Sequence, residues 1–99
     1  MEYLKVSVGI SAKDLDAVRR VMSEDVAYRD LSIEFSETSQ GKASLVFPPE
    51  NMSETYELLL DSVVKLGFDR QYALTPVGAA LESLADEIFA LILKKERES

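Results

Sequence analysis

Carboxylates at helical spacing are the side chains in this sequence best placed to do chemistry. Glu50, Glu54, Glu57 and Asp61 recur every three or four residues, and Glu82 and Asp86 repeat that spacing farther on. Such a row falls on one helix face, where it can bind a hard cation such as magnesium or meet a basic partner. It equally describes a solvated face, and Glu50 and Glu54 suit the positive end of a helix dipole. No aspartate–glycine loop of calcium-binding form accompanies the row, so the solvated reading is adopted and neither metal nor cofactor is expected. Glu34 and Glu37 form a general acid/base pair only if a pocket raises one pKa, and alternation instead turns Glu34 to the polar side of its strand.

The 99 residues include no histidine and no cysteine. That excludes imidazole-based triads, thiolate nucleophiles, disulfides and His- or Cys-ligated metal sites. Gly9, Gly41, Gly67 and Gly78 fit neither phosphate-cradling pattern, GxGxxG or GxxxxGK. The expectation is a protein that is not an enzyme. A net charge of −7 argues against binding a phosphate backbone. The basic residues are scattered, with Arg19 and Arg20 in the first helix, Arg70 in a loop, and Lys94, Lys95 and Arg97 at the end. The last three suit the negative end of a helix dipole. Tyr3, Tyr28, Tyr56 and Tyr72 could stack bases on a sheet, but no aromatic RNA-binding motif surrounds them. Tyr56 reads as core, and Tyr28 and Tyr72 as interface residues. No apolar run nears the ~20 residues of a spanning helix, and the start lacks the pattern of a signal peptide. A cytoplasmic location without membrane contact is expected.

The elements that must position these residues follow from periodicity. Tyr3 to Ile10 alternates, with Leu4, Val6, Val8 and Ile10 on one face, and predicts a half-buried strand. Ser11 with Asp14 resembles a capping box and opens a helix to about Ser23, buried through Leu15, Val18, Val21 and Met22. Glu24 to Arg29 reads as a polar connection. Leu31, Ile33 and Phe35, then Ala43, Leu45 and Phe47, predict a hairpin turning at residues 38–41 and ended by Pro48-Pro49. A helix over 51–66 would face inward through Met52, Tyr56, Leu59, Leu60, Val63, Val64 and Leu66, with Gly67 and Phe68 as its C-terminal cap. Leu58 falls on its polar side. Residues 71–74 are ambiguous and could form a fourth strand. The single domain, residues 1–99, is therefore an α+β two-layer sandwich of order βαββα(β)α. It is ferredoxin-like if the fourth strand forms, and otherwise a three-stranded antiparallel sheet with helices on one face.

The last helix carries the most unusual pattern. Thr75 caps it, Pro76 takes its first position, and it extends over residues 75–96. Val77, Ala80, Leu81, Leu84, Ala85, Ile88, Phe89, Leu91 and Ile92 fill about half its circumference, wider than the stripe of a little over ~100° that one packed face needs. At ~1.5 Å per residue it nears the diameter of the whole domain. Part of it should therefore meet a partner. Leu58, Tyr72, Leu81, Ile88, Phe89, Ile92 and Leu93 are the candidate interface residues.

Two local resemblances bear on this. Tyr72-Ala73-Leu74-Thr75-Pro76-Val77-Gly78-Ala79-Ala80-Leu81 resembles the segment of winged-helix transcription regulators that joins the last wing strand to a dimerising helix. Salt-dependent DNA binding would follow from that likeness, although the β-rich first half departs from a helix-turn-helix. The βαββα order of residues 3–66, with Leu60-Asp61-Ser62 in its second helix, resembles the small dimerisation subunit of the KEOPS tRNA-modification complex. Glu57 stands near the place of a basic residue in that family, and the C-terminal helix is additional. The reading that these features favour is a non-catalytic interaction domain, a homodimer or the small subunit of a larger complex. A regulatory domain holding a small metabolite between paired sheets is the alternative, and a winged-helix-like regulator a further one.

Overall fold

The computed structural model describes residues 2–38, 41–66 and 68–98. Strand β1 (Leu4–Gly9) leads into helix α1 (Ala12–Glu24), short helix α2 (Val26–Asp30), and strands β2 (Glu34–Thr38) and β3 (Lys42–Phe47). A 3-10 turn over Pro49–Asn51 then opens α3 (Met52–Leu66), and α4 (Pro76–Glu98) follows. The sheet has order β1-β3-β2 with both pairings antiparallel. This is the βαββα core of a ferredoxin-like sandwich with three strands, helices on one face, and a long added helix.

Alternation decides the two faces of the sheet. Val6, Leu45 and Phe35 share one cross-strand row and belong to the core or pack against it. The next row is Ser7, Ser44 and Ser36, on the face away from the core. Ser44 is fully buried at its centre, and its hydroxyl is bonded to that of Ser7 at 2.8 Å. Lys5, Lys42 and Glu34 surround that row and are exposed. The open face of the sheet is therefore mostly polar, with half-buried Val46 between Lys5 and Glu34. At the hairpin, Gly41 has φ +73° and its carbonyl accepts from Ile10 N at 2.8 Å. The other turn residues proposed, Ser39 and Gln40, lie outside the described residues, as does Gly67.

Several expectations needed correction. The stretch read as a polar connection contains α2, because Asp25 ends α1 and its carboxylate caps the next helix, accepting from Ala27 N at 3.0 Å. Tyr28 on α2 is not an interface residue, being 2% exposed. Among the described residues no fourth strand joins the sheet. Residues 71–74 are drawn instead into a tight loop, where the Asp69 carboxylate accepts from Gln71 N and Ala73 N at 2.8 and 3.0 Å. One isolated bridge, Phe68 to Leu74, closes that loop. Helix α3 is rotated from the expected face. Thr55 and Ser62 point inward, whereas Leu60, Val64 and Leu66 are exposed and Leu58 is half-buried against the core.

Hydroxyl chemistry explains that rotation. Thr55 Oγ1 donates to the Asn51 carbonyl at 2.7 Å, and Ser62 Oγ donates to the Leu58 carbonyl at 3.0 Å, so both buried hydroxyls of α3 are satisfied by backbone carbonyls four residues back. Because the single Ser62 proton goes to Leu58, the Tyr28 hydroxyl donates to Ser62 Oγ, at 2.6 Å. Asn51 Nδ2 also donates to the Leu31 carbonyl at 2.9 Å, fixing the start of α3 to the end of α2.

Helix α4 is capped as its sequence requires, with Thr75 Oγ1 accepting from Gly78 N at 3.0 Å. Its stripe of Ala80, Leu81, Leu84, Ala85 and Ile88 enters the same core cluster as Val6, Leu45, Phe47, Leu59 and Val63. Replacing Leu84, 1% exposed, by alanine should cost about 2–5 kcal/mol of unfolding free energy. Chemical denaturation checks this, and a loss below about 1 kcal/mol would show that α4 is dispensable to the core. Burial also pushes the Tyr28 hydroxyl up to about 12, from 10.0 in the unfolded chain. The native state then holds a proton that the unfolded state releases, so stability is intact below pH ~10 and falls through pH ~12, by at most about 2–3 kcal/mol. In alkaline unfolding curves, Tyr28→Phe should flatten that dependence; an unchanged slope would sink the assignment.

Candidate functional site

The proposed interface residues separate into three groups. Leu81 and Ile88 are fully buried within the chain's own core, a correction to their reading as interface residues. The stripe was too wide for one packed face, but α4 lies against β1, α1 and α3 at once, so much of that width is needed internally. Ile92 and Leu58 are half-buried at the edge of the core. Phe89, Leu93 and Tyr72 remain exposed. Tyr72 stands apart on the loop before α4, 88% exposed and with φ +61°, a backbone region that large side chains rarely adopt.

Helix periodicity joins the exposed α4 residues to residues of α3 that the sequence reading placed in the core. Phe89 and Leu93 lie four apart on α4, and Tyr56, Leu60 and Val64 lie four apart on α3. The rings of Tyr56 and Phe89 meet with centroids 5.5 Å apart and tilted by 31°. The Phe68–Leu74 bridge holds the end of α3 near the start of α4, and Tyr56, early in α3, meets Phe89, late in α4, so the helices run antiparallel. That register extends one apolar row from Leu93 through the Tyr56–Phe89 contact to Leu60 and Val64. Val64 is 73% exposed, and Leu60, Phe89 and Leu93 lie near 40%. The missed signal was the pair of hydroxyls at Thr55 and Ser62, which turn this side of α3 outward.

Among the described residues no group of three or more acidic side chains could hold a metal ion. Asp61 instead pairs with Lys65 at 2.9 Å, and its carboxylate holds the Lys65 ammonium above its usual value. Glu34 and Glu37 are both exposed, and three residues apart on β2 they face opposite sides of the strand. The tyrosines share no sheet face either, since Tyr28 is bonded beneath α3 and Tyr56 is stacked on α4.

A second feature lies on the other side of the helical layer. The end of α1, α2 and the start of β2 enclose an open cavity of about 380 Å³. Arg19, Ser23, Asp25 and Arg29 line it with polar groups, and Met22, Ile33 and Phe35 with apolar ones. Sequence reading raised Arg19, Arg20 and Arg70 as a basic set. The structure instead puts Arg19 and Arg29 on the lining of this one cavity, while Arg70 sits in the α3–α4 loop.

Among the described residues no helix is long and apolar enough to cross a membrane. No family model, curated protein or solved structure matches this chain. The two resemblances of its local segments therefore assign it to no family.

Proposed function

We propose that this chain is a non-catalytic interaction domain that forms a homodimer through the seam between α3 and α4. The observation that carries this reading is the exposure of Phe89 and Leu93 on α4 and of Leu60 and Val64 on α3, on either side of the Tyr56–Phe89 ring contact. An apolar row on a paired-helix surface is matched by the same row on a second copy turned about a two-fold axis. The two helical hairpins then form a four-helix packing, with ridges in grooves at a shallow angle. Burying a large aliphatic side chain fully is worth about 1.5–3 kcal/mol, so several half-exposed ones on each copy can sustain a stable pair. The mostly polar open face of the sheet offers no comparable surface. The absence of histidine and cysteine, and the exposure of the helical carboxylates, support a role without catalysis.

Light scattering on a sizing column tests this. The native chain should elute at twice its 11.0 kDa mass at the highest loading and shift toward 11.0 kDa as the series is diluted. Val64→Asp should give a folded monomer, since a side chain 73% exposed in the isolated chain contributes little there. A native monomer throughout, or a dimer unaffected by Val64→Asp, would contradict the proposal.

A further inference from the structure

The cavity between α1, α2 and β2 is built from elements other than the proposed interface, and it combines two kinds of wall. Arg19 and Arg29 both line this one cavity in a chain of net charge −7. Neither forms an ion pair among the described residues. Asp25 supplies the one carboxylate on the lining, and one of its oxygens is already occupied in capping α2. The polar side thus carries a net charge of about +1, from two cations and one anion. Met22, Ile33 and Phe35 share the lining, and they belong to the hydrophobic core or pack against it.

We propose that this cavity binds a small monocarboxylate with an apolar body. Guanidinium forks match carboxylate geometry and give stronger hydrogen bonds than neutral donors. The single net positive charge matches one carboxylate, and the acidic remainder of the chain disfavours a dianion such as phosphate. The apolar wall selects a hydrophobic substituent, and a volume of about 380 Å³ falls within the range of small-ligand sites. Two sources share this chemistry: a simple aryl or alkyl carboxylate, and an apolar α-amino acid whose ammonium group meets Asp25.

Calorimetric titration of the full chain with 3-phenylpropionate, L-phenylalanine and inorganic phosphate tests the site and separates the sources. Saturable 1:1 binding of at least one carboxylate is expected, weakened about tenfold or more in the Arg19→Gln/Arg29→Gln double variant. Both arginines are exposed, so that variant should retain the native melting curve. Tighter binding of L-phenylalanine, lost in Asp25→Asn, identifies an amino acid site; asparagine keeps the α2 cap. Equal binding of both, or preference for 3-phenylpropionate, identifies a simple carboxylate site. Binding of neither carboxylate, binding of phosphate alone, or unchanged affinity in the double variant overturns the proposal.

Discussion

The structure depends on the docking of α4 into a core that three strands and two longer helices cannot close alone. The sheet is narrow, and the loop over 68–74 does not widen it with a fourth strand. Ala80, Leu81, Leu84, Ala85 and Ile88 occupy the space left against β1, α1 and α3. Apolar burial on this scale has to offset the conformational entropy of ordering a 99-residue chain, so an element carrying six buried residues is structural before it is anything else. The Thr75 cap and Pro76 fix where that helix begins, and hence which of its residues face inward.

That constraint leaves a residue of apolar surface in a definite place. Once α4 turns Leu84 and Ile88 inward, Phe89 and Leu93 fall on its outer flank. Once Thr55 and Ser62 satisfy their hydroxyls beneath α3, Leu60 and Val64 fall on the adjoining flank. The Tyr56–Phe89 ring contact sets the two flanks side by side. The apolar seam follows from the interior packing, and its position was settled by hydrogen bonds on the opposite side of α3.

Regular alternation made the strands legible from sequence, and the capping residues Ser11 and Thr75 marked two helix starts correctly. Strand β2 was placed early because Leu31 and Ile33 are apolar; they are instead the exit from α2, where Ser32 adopts φ +58°. The polar run at Asp25 concealed a helix of one turn, since a lone cap residue resembles a loop when no apolar period surrounds it. Helix α3 misled most. Apolar side chains outnumber the buried positions on it, and only tertiary partners, Tyr28 for Ser62 and the half-buried edge for Leu58, decide which of them face inward. That Arg19 and Arg29 line one cavity was invisible for a related reason: it arises from the turn between α1 and α2, which the sequence reading did not contain.

Helices α3 and α4 divide into residues buried in the chain's own core and exposed residues proposed to meet a second copy. Methyl-resolved NMR over a dilution series reads that division residue by residue. The methyl resonances of Leu60, Val64 and Leu93 should shift between the associated and dilute states, while those of Leu81, Leu84 and Ile88 stay fixed. Shifts centred on Leu81 and Ile88, or a seam whose methyls never respond to concentration, would contradict it.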